Sequence, residues 1–257
     1  AAVMEHLLPE VVDRPLSNLA NPLLVRKARS FSTDEDDTQF TVTFSENRAT
    51  FGFALAGSNL SRSAQYRVRA YDVSDTARST ALYDSGVQDV YKVVFEKGSL
   101  PWVSVSQWDG KRSAEDLALY DTPLLAFIED GVVAGIWDVE IFDSGNPAGY
   151  VEFSRLFIAS GYIPSVNAAQ GSRFGQEDAS VKQYALGGAE YADEREVRRS
   201  VVLNFPFQPE GEVLAGIFDA QRRLKTVNQV FFAWDPDDTL NFDRRSFPAT
   251  YRKLSEA

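Results

Sequence analysis

Chemistry in this chain has few residue types to draw on. The sequence holds one histidine, His6, and no cysteine. Without cysteine there is no disulfide, no thiolate nucleophile and no Cys-ligated metal. His6 stands in a proline-punctuated N-terminal stretch, away from the apolar runs that must form a core, and reads as a terminal surface histidine. A Ser–His–acid triad or a histidine-based metal hydrolase would have to recruit that terminal residue. Two carboxylates can cleave a glycosidic bond, but 37 acidic residues form pairs by chance, and no pair is marked as buried and facing. The best oxygen-ligand cluster is Asp235, Asp237, Asp238 and Asp243. Calcium takes about six to eight oxygens. This spacing lacks the glycine and closing glutamate of a helix–loop–helix calcium loop, and Pro236 and Thr239 suit an acidic turn after a strand. The sequence therefore points to a chain that is not an enzyme, with no cofactor and no metal.

Binding is a better prospect than catalysis. Ser99-Leu100-Pro101-Trp102 through Trp108-Asp109-Gly110-Lys111 places two tryptophans in one loop bounded by proline and glycine. Trp102, Trp108 and Lys111 are the candidates for a ligand or interface rim. The structural alternative, a lid over the chain's own core, is favoured because tryptophan is commonly buried by its size. A second candidate group is Arg195, Arg198 and Arg199, set among Asp193, Glu194 and Glu196. Mixed charge of this kind can set register between identical copies.

The elements that position these residues read mainly as strands. Phe40, Val42 and Phe44 alternate with threonines, which is the period of a half-buried strand. Residues 50–55, 66–70, 90–95, 124–128, 135–142 and 150–158 follow as further strands. Trp137, Val139 and Ile141 share one side, and Asp138 and Glu140 the other. Gly57-Ser58-Asn59, Tyr83-Asp84-Ser85-Gly86 and Asp143-Ser144-Gly145-Asn146-Pro147 are turns. Many short strands at regular spacing indicate an antiparallel β-sandwich. There is no βαβ rhythm and no glycine-rich phosphate loop, which argues against a dinucleotide fold.

Three parts result. Residues 1–163 form an N-terminal arm and the sandwich. Residues 164–189, rich in glycine and polar side chains, read as a connector or arm. Residues 190–257 form a smaller β-rich segment with one helix over 210–224, where Leu214, Ile217, Phe218, Gln221 and Leu224 recur at helical spacing. Strands are expected near Arg198, at 230–234 and at 244–251. With 257 residues and 44% apolar composition the chain can build a sizeable core. Its net charge of −11 gives no support to direct nucleic-acid recognition. No apolar run approaches the roughly 20 residues of a bilayer helix, so no membrane insertion is expected. No signal peptide is read at the N-terminus, although processing could have removed one.

Several short motifs carry a resemblance. They are Tyr83-Asp84-Ser85-Gly86, Gly98-Ser99-Leu100-Pro101-Trp102, Trp108-Asp109-Gly110-Lys111 and Gly145-Asn146-Pro147-Ala148-Gly149-Tyr150. Gly187-Gly188-Ala189-Glu190-Tyr191, Asp235-Pro236-Asp237-Asp238-Thr239 and Arg244-Arg245-Ser246-Phe247 continue it. With these, the chain from about Asn18 onward resembles the tail-tip, or distal-tail, structural proteins of long-tailed, siphophage-like bacteriophages and prophages. The first region separately resembles a discoidin or galactose-binding-like jelly roll. That likeness is carried by Pro15-Leu16-Ser17-Asn18-Leu19, Leu55-Ala56-Gly57-Ser58-Asn59-Leu60-Ser61 and Trp137-Asp138-Val139-Glu140-Ile141.

The resemblance implies a virion component assembled in the host cytoplasm. Copies would form a homo-oligomeric ring of about three or six subunits and meet other tail proteins. Residues 190–257 would contribute to the ring and the sandwich would brace it. The alternative is a carbohydrate-binding module for a host-surface glycan, with a shallow site at one end of the sandwich. Val103 and Val105 stand where related phage proteins tend to carry more tryptophan, which weakens a sugar site and leaves packing intact.

Overall fold

Apolar–polar alternation makes the central strands, and their pairing is antiparallel throughout. The computed structural model describes residues 2–6, 11–120 and 123–254; the side chains of 2–6 and 118 lie outside that description, and with them the reading of His6 as a surface side chain. The strands are β1 (Ala2–His6), β2 (Ala28–Arg29), β3 (Phe40–Ala56), β4 (Gln65–Tyr71), β5 (Tyr83–Asp84), β6 (Gln88–Asp89), β7 (Leu124–Phe142), β8 (Glu152–Phe153) and β9 (Arg155–Ala159). They are followed by β10 (Arg173–Glu177), β11 (Val181–Tyr184), β12 (Glu190–Asp193), β13 (Arg198–Val202), β14 (Gln229–Ala233) and β15 (Ser246–Thr250). The chain is mainly β. Its principal sheet has the order β1-β3-β7-β4-β5, with β9 also on β3 and β6 also on β4.

Two long strands dominate. Residues 40–44 and 50–55, expected as separate strands, run together in β3, and 124–128 and 135–142 run together in β7. Their register shifts between Thr43 and Arg48 and again between Thr50 and Gly52. Extra residues of this kind bend the pair and increase its twist. Bending brings the inward residues of both halves, Phe40 and Val42 with Phe53 and Leu55, into one cluster with Val68, Leu124, Trp137, Val139 and Ile141. The outward charges are paired. Arg69 meets Glu140, Arg67 meets Asp84, and Arg78 meets Asp138 at 2.7 Å.

The described residues divide into two compact units. One runs to Gly161 and resumes at Leu224; the other is Tyr162–Arg223. The segment expected as one piece over 190–257 is therefore divided. Its last part belongs with the sandwich, where Phe231 of β14 packs on Ala54, Ala56 and Phe157. Residues 244–251 begin with a helical turn, Phe242–Arg245, before β15.

In the second unit the segment read as a connector or arm, 164–189, carries strands. β10 pairs with β13 and β11 with β12, so residues 173–202 form a two-stranded ribbon. Its strands expose both faces. A strand without a buried face has no apolar alternation for a sequence reading to find. The helix over 210–224 is present, but its middle, Val213–Phe218, is π-helical and leaves Leu214 and Phe218 exposed. Gly216 allows the close approach of Tyr162, since an added Cβ would lie 2.3 Å from its ring.

Candidate functional site

The tryptophan loop is built on backbone closure. Val94 and Phe95 both donate to the Gly110 carbonyl, at 2.8 and 2.9 Å, which takes the place of the strand expected over 90–95. A short helix, Ser106–Asp109, ends at Gly110, whose φ is +72°. Leu100 donates to the Gln107 side chain at 2.8 Å and fixes the far limb.

The loop presents its tryptophans to solvent. Trp102 is 76% exposed, Trp108 is 62% exposed, and the rings meet edge-to-face at 5.1 Å. This corrects the favoured reading of the loop as a lid on the core. Proline and the short helix hold the rings above the surface, and Val103 is 96% exposed beside them.

Lys111 does not join that rim. It is buried, its ammonium paired with Asp89 at 3.1 Å and donating to the Arg62 carbonyl at 3.2 Å. Arg62 in turn donates to Asp109 at 2.8 Å and to the Lys111 carbonyl at 3.1 Å. These groups brace the base of the loop. Burial pushes the Asp89 carboxyl up, but hydrogen bonds from Gln65 and Lys111 outweigh it and hold it below the usual range. Asp89 also lines an open cleft of about 540 Å³ with Gln65, Gln88, Lys92, Asp237 and Thr239. The cleft offers amide, carboxylate and ammonium groups, which suit hydroxyl-rich ligands.

The aspartate cluster is taken up by the fold. Asp235 accepts from the Asp237 N–H, and Asp238 accepts from Leu240 and Asn241. Asp243 pairs with Arg112 at 3.1 Å. Among the described residues no group of three His, Cys, Asp or Glu side chains is placed to hold a metal.

On the ribbon, Arg195 is exposed and pairs with Asp193 at 3.0 Å. Arg198 and Arg199 lie on β13 opposite Glu177 and Gln176. The structure thus separates the two candidate groups into different units. Sequence reading missed a third feature. Arg14, Lys27 and Arg29 all bind the one carboxylate of Glu152. Only the pairing of β2 with β8 brings these distant positions together.

No family model matches the chain, and no curated protein matches it. Solved structures similar to it include CpGH89CBM32-6 from Clostridium perfringens, at 9% identity and TM-score 0.39, covering 62% of this chain and 94% of that one. Another is the family 32 carbohydrate-binding module of C. perfringens NanJ in complex with galactose, at 9% identity and TM-score 0.37, covering 62% and 91%. A third is the Ruminococcus gnavus GH29 fucosidase E1_10125 in complex with fucose, at 7% identity and TM-score 0.39. That match covers 62% of this chain, which spans 25% of the fucosidase. None of these three is a bacteriophage tail protein.

Proposed function

We propose that this chain is a structural subunit that assembles with copies of itself and with other proteins, acting at a bacteriophage tail tip as its sequence resemblance implies. The observation that carries the reading is the second unit. Between Tyr162 and Arg223 only Gln221 is buried. A two-stranded ribbon without a hydrophobic face on a core is marginal in water. Ordering its backbone costs about 1–2 kcal/mol per residue, and here no large apolar side chain of the unit is fully buried to offset that cost. A second surface, supplied by a neighbour, does. Identical subunits related by rotation can supply it repeatedly and close a ring.

The test is mass photometry with negative-stain microscopy across a concentration series. It compares the full chain with a variant whose residues 172–203 are replaced by a short Gly-Ser turn. The full chain is expected to form closed oligomers. The shortened chain should stay monomeric while keeping the melting transition of the sandwich. A full chain that is monomeric throughout, or a shortened chain that still assembles, refutes the reading.

A second reading is favoured by the exposed Trp102–Trp108 pair: a carbohydrate-binding surface for a host glycan. Aromatic faces stack on sugar rings, and the polar cleft sharing Asp89 with the loop's brace lies within the same unit. Galactose and fucose, bound in the similar structures, are the first probes. Saturable quenching of tryptophan fluorescence, lost in Trp102→Ala and reversed by competing free sugar, supports it. A flat titration together with an unresponsive glycan array refutes it.

A further inference from the structure

Three cations converge on one acid. Arg14 Nη1, Arg29 Nε and Arg29 Nη2 donate to one oxygen of Glu152 at 2.9, 3.2 and 3.0 Å, and Lys27 Nζ donates to the other at 3.1 Å. One carboxylate neutralises one base, so the cluster keeps two surplus positive charges in a chain of net charge −11. Its donors are not exhausted. A guanidinium carries five N–H groups and an ammonium three, while Arg14 and Lys27 each give one to Glu152.

Large apolar residues flank these cations in the chain. Val12 precedes Arg14, Val25 precedes Lys27 and Phe31 follows Arg29, each at a separation of two. They are 91%, 93% and 72% exposed. Apolar side chains left in water among arginines are the composition of an interface centre.

The ribbon has the opposite character. At its tip Tyr184, Leu186 and Tyr191 are exposed. Lys182 is taken by Glu190 at 2.9 Å and Arg195 by Asp193 at 3.0 Å. Among the described residues no cation pairs with Glu194 or Glu196. The tip is therefore apolar, and on the return limb between β12 and β13 Glu194 and Glu196 add two carboxylates that no cation takes up.

We propose that the ribbon of one copy, from its apolar tip along the limb that carries Glu194 and Glu196, docks on the N-terminal segment of the next, with those two carboxylates facing Arg14, Lys27 and Arg29. Glu194 and Glu196 are opposite in charge to the three bases, and each surface has exposed apolar groups for the other to cover. The two patches differ, so the contact is heterologous and propagates from copy to copy until rotation closes it. The inference rests on the reading of the chain as a self-assembling subunit and names the interface that reading requires.

The experiment measures self-association of full chains by mass photometry and sedimentation, with folding checked by circular dichroism. Arg14→Glu with Lys27→Glu reverses one patch, and Glu194→Lys with Glu196→Lys reverses the other. Each double variant should raise the dissociation constant about 100-fold, because like charges are then opposed. The second variant sits on the exposed ribbon, away from the Glu152 cluster, so its loss of assembly is not a loss of the sandwich. Combining all four substitutions restores opposite charges and should restore assembly, as should mixing the two double variants. Wild-type association should also weaken at least tenfold as salt screens the contact. A Glu194→Lys, Glu196→Lys chain that assembles like wild type overturns this interface and leaves self-assembly standing. A folded quadruple variant that stays monomeric does the same. A wild-type chain that is monomeric at every concentration overturns both.

Discussion

The rings of Phe53 and Trp137 stack with their centroids 6.3 Å apart and their planes at 21°. Neither is the other's strand partner: Phe53 pairs with Ala126 and Trp137 with Val42. The stack forms because the bent β3–β7 pair folds its two halves toward each other, so one pair of strands contributes to both walls of the core. Both side chains are fully buried.

Truncation at this stack should be costly. Trp137→Ala removes a fully buried ring and is expected to cost about 3–5 kcal/mol. Trp102→Ala removes an exposed ring and should change stability by less than about 0.5 kcal/mol. Urea unfolding of both variants checks the contrast. A large loss for Trp102→Ala would mean that the loop is part of the core after all.

Arg112 and Asp243 pair at 3.1 Å with little solvent access, and Arg112 Nη2 donates to the Leu240 carbonyl at 2.5 Å. This ion pair ties the C-terminal segment to the region that follows the tryptophan loop. Arg112→Met would withdraw the Arg112 cation from a buried carboxylate and should cost about 3–5 kcal/mol. Adding Asp243→Leu should recover much of that, since apolar replacement of both partners removes the buried charge together with its cation. Equal stability of the single and double variants would contradict this account.

Gly110 controls the presentation of Trp108. Its φ of +72° disfavours a side chain, and an added Cβ would lie 2.4 Å from the Phe95 carbonyl oxygen. The obstruction is backbone and cannot rotate away. Gly110→Ala is expected to cost about 2 kcal/mol and to change acrylamide quenching of the loop tryptophans. A variant with wild-type melting and quenching would show that the turn tolerates a side chain.

The cluster on Glu152 predicts an acid-sensitive docking of the N-terminal segment. Burial pushes the Glu152 carboxyl up, but hydrogen bonds from Lys27 and Arg29, with their charges, outweigh it, and the net shift is below the ordinary 4.5. A carboxyl depressed by folding contributes fully above its unfolded value, and that contribution is lost as pH falls through the folded one. Stability should therefore fall below about pH 4.5. Glu152→Gln should lower stability at neutral pH by about 2 kcal/mol and flatten this part of the acid limb. Chemical denaturation at several pH values tests both; an unchanged acid limb in Glu152→Gln would remove the cluster from the explanation.

How much was legible in the chain varies with how local the signal is. The alternation at Phe40–Phe44 and at Trp137–Ile141, the turns at Gly57 and Asp143, and the helix over 210–224 are fixed by neighbours a few residues apart, and the sequence determined them. It also determined that the chain is mainly β and that Trp102 and Trp108 share one loop. It did not determine that those rings face water, because tryptophan's size favours burial and only the closure of Val94 and Phe95 on Gly110 lifts the loop clear. Lys111 reads from sequence as a rim cation, yet Asp89 and Arg62 draw it inward. The ribbon over 173–202 has no apolar period to announce it, since both faces are exposed. Tertiary structure alone decided the return of 224–254 to the sandwich and the meeting of Arg14, Lys27, Arg29 and Glu152. These depend on pairings between positions far apart in the chain, and residue type and local spacing carry no record of which distant partner a strand will meet.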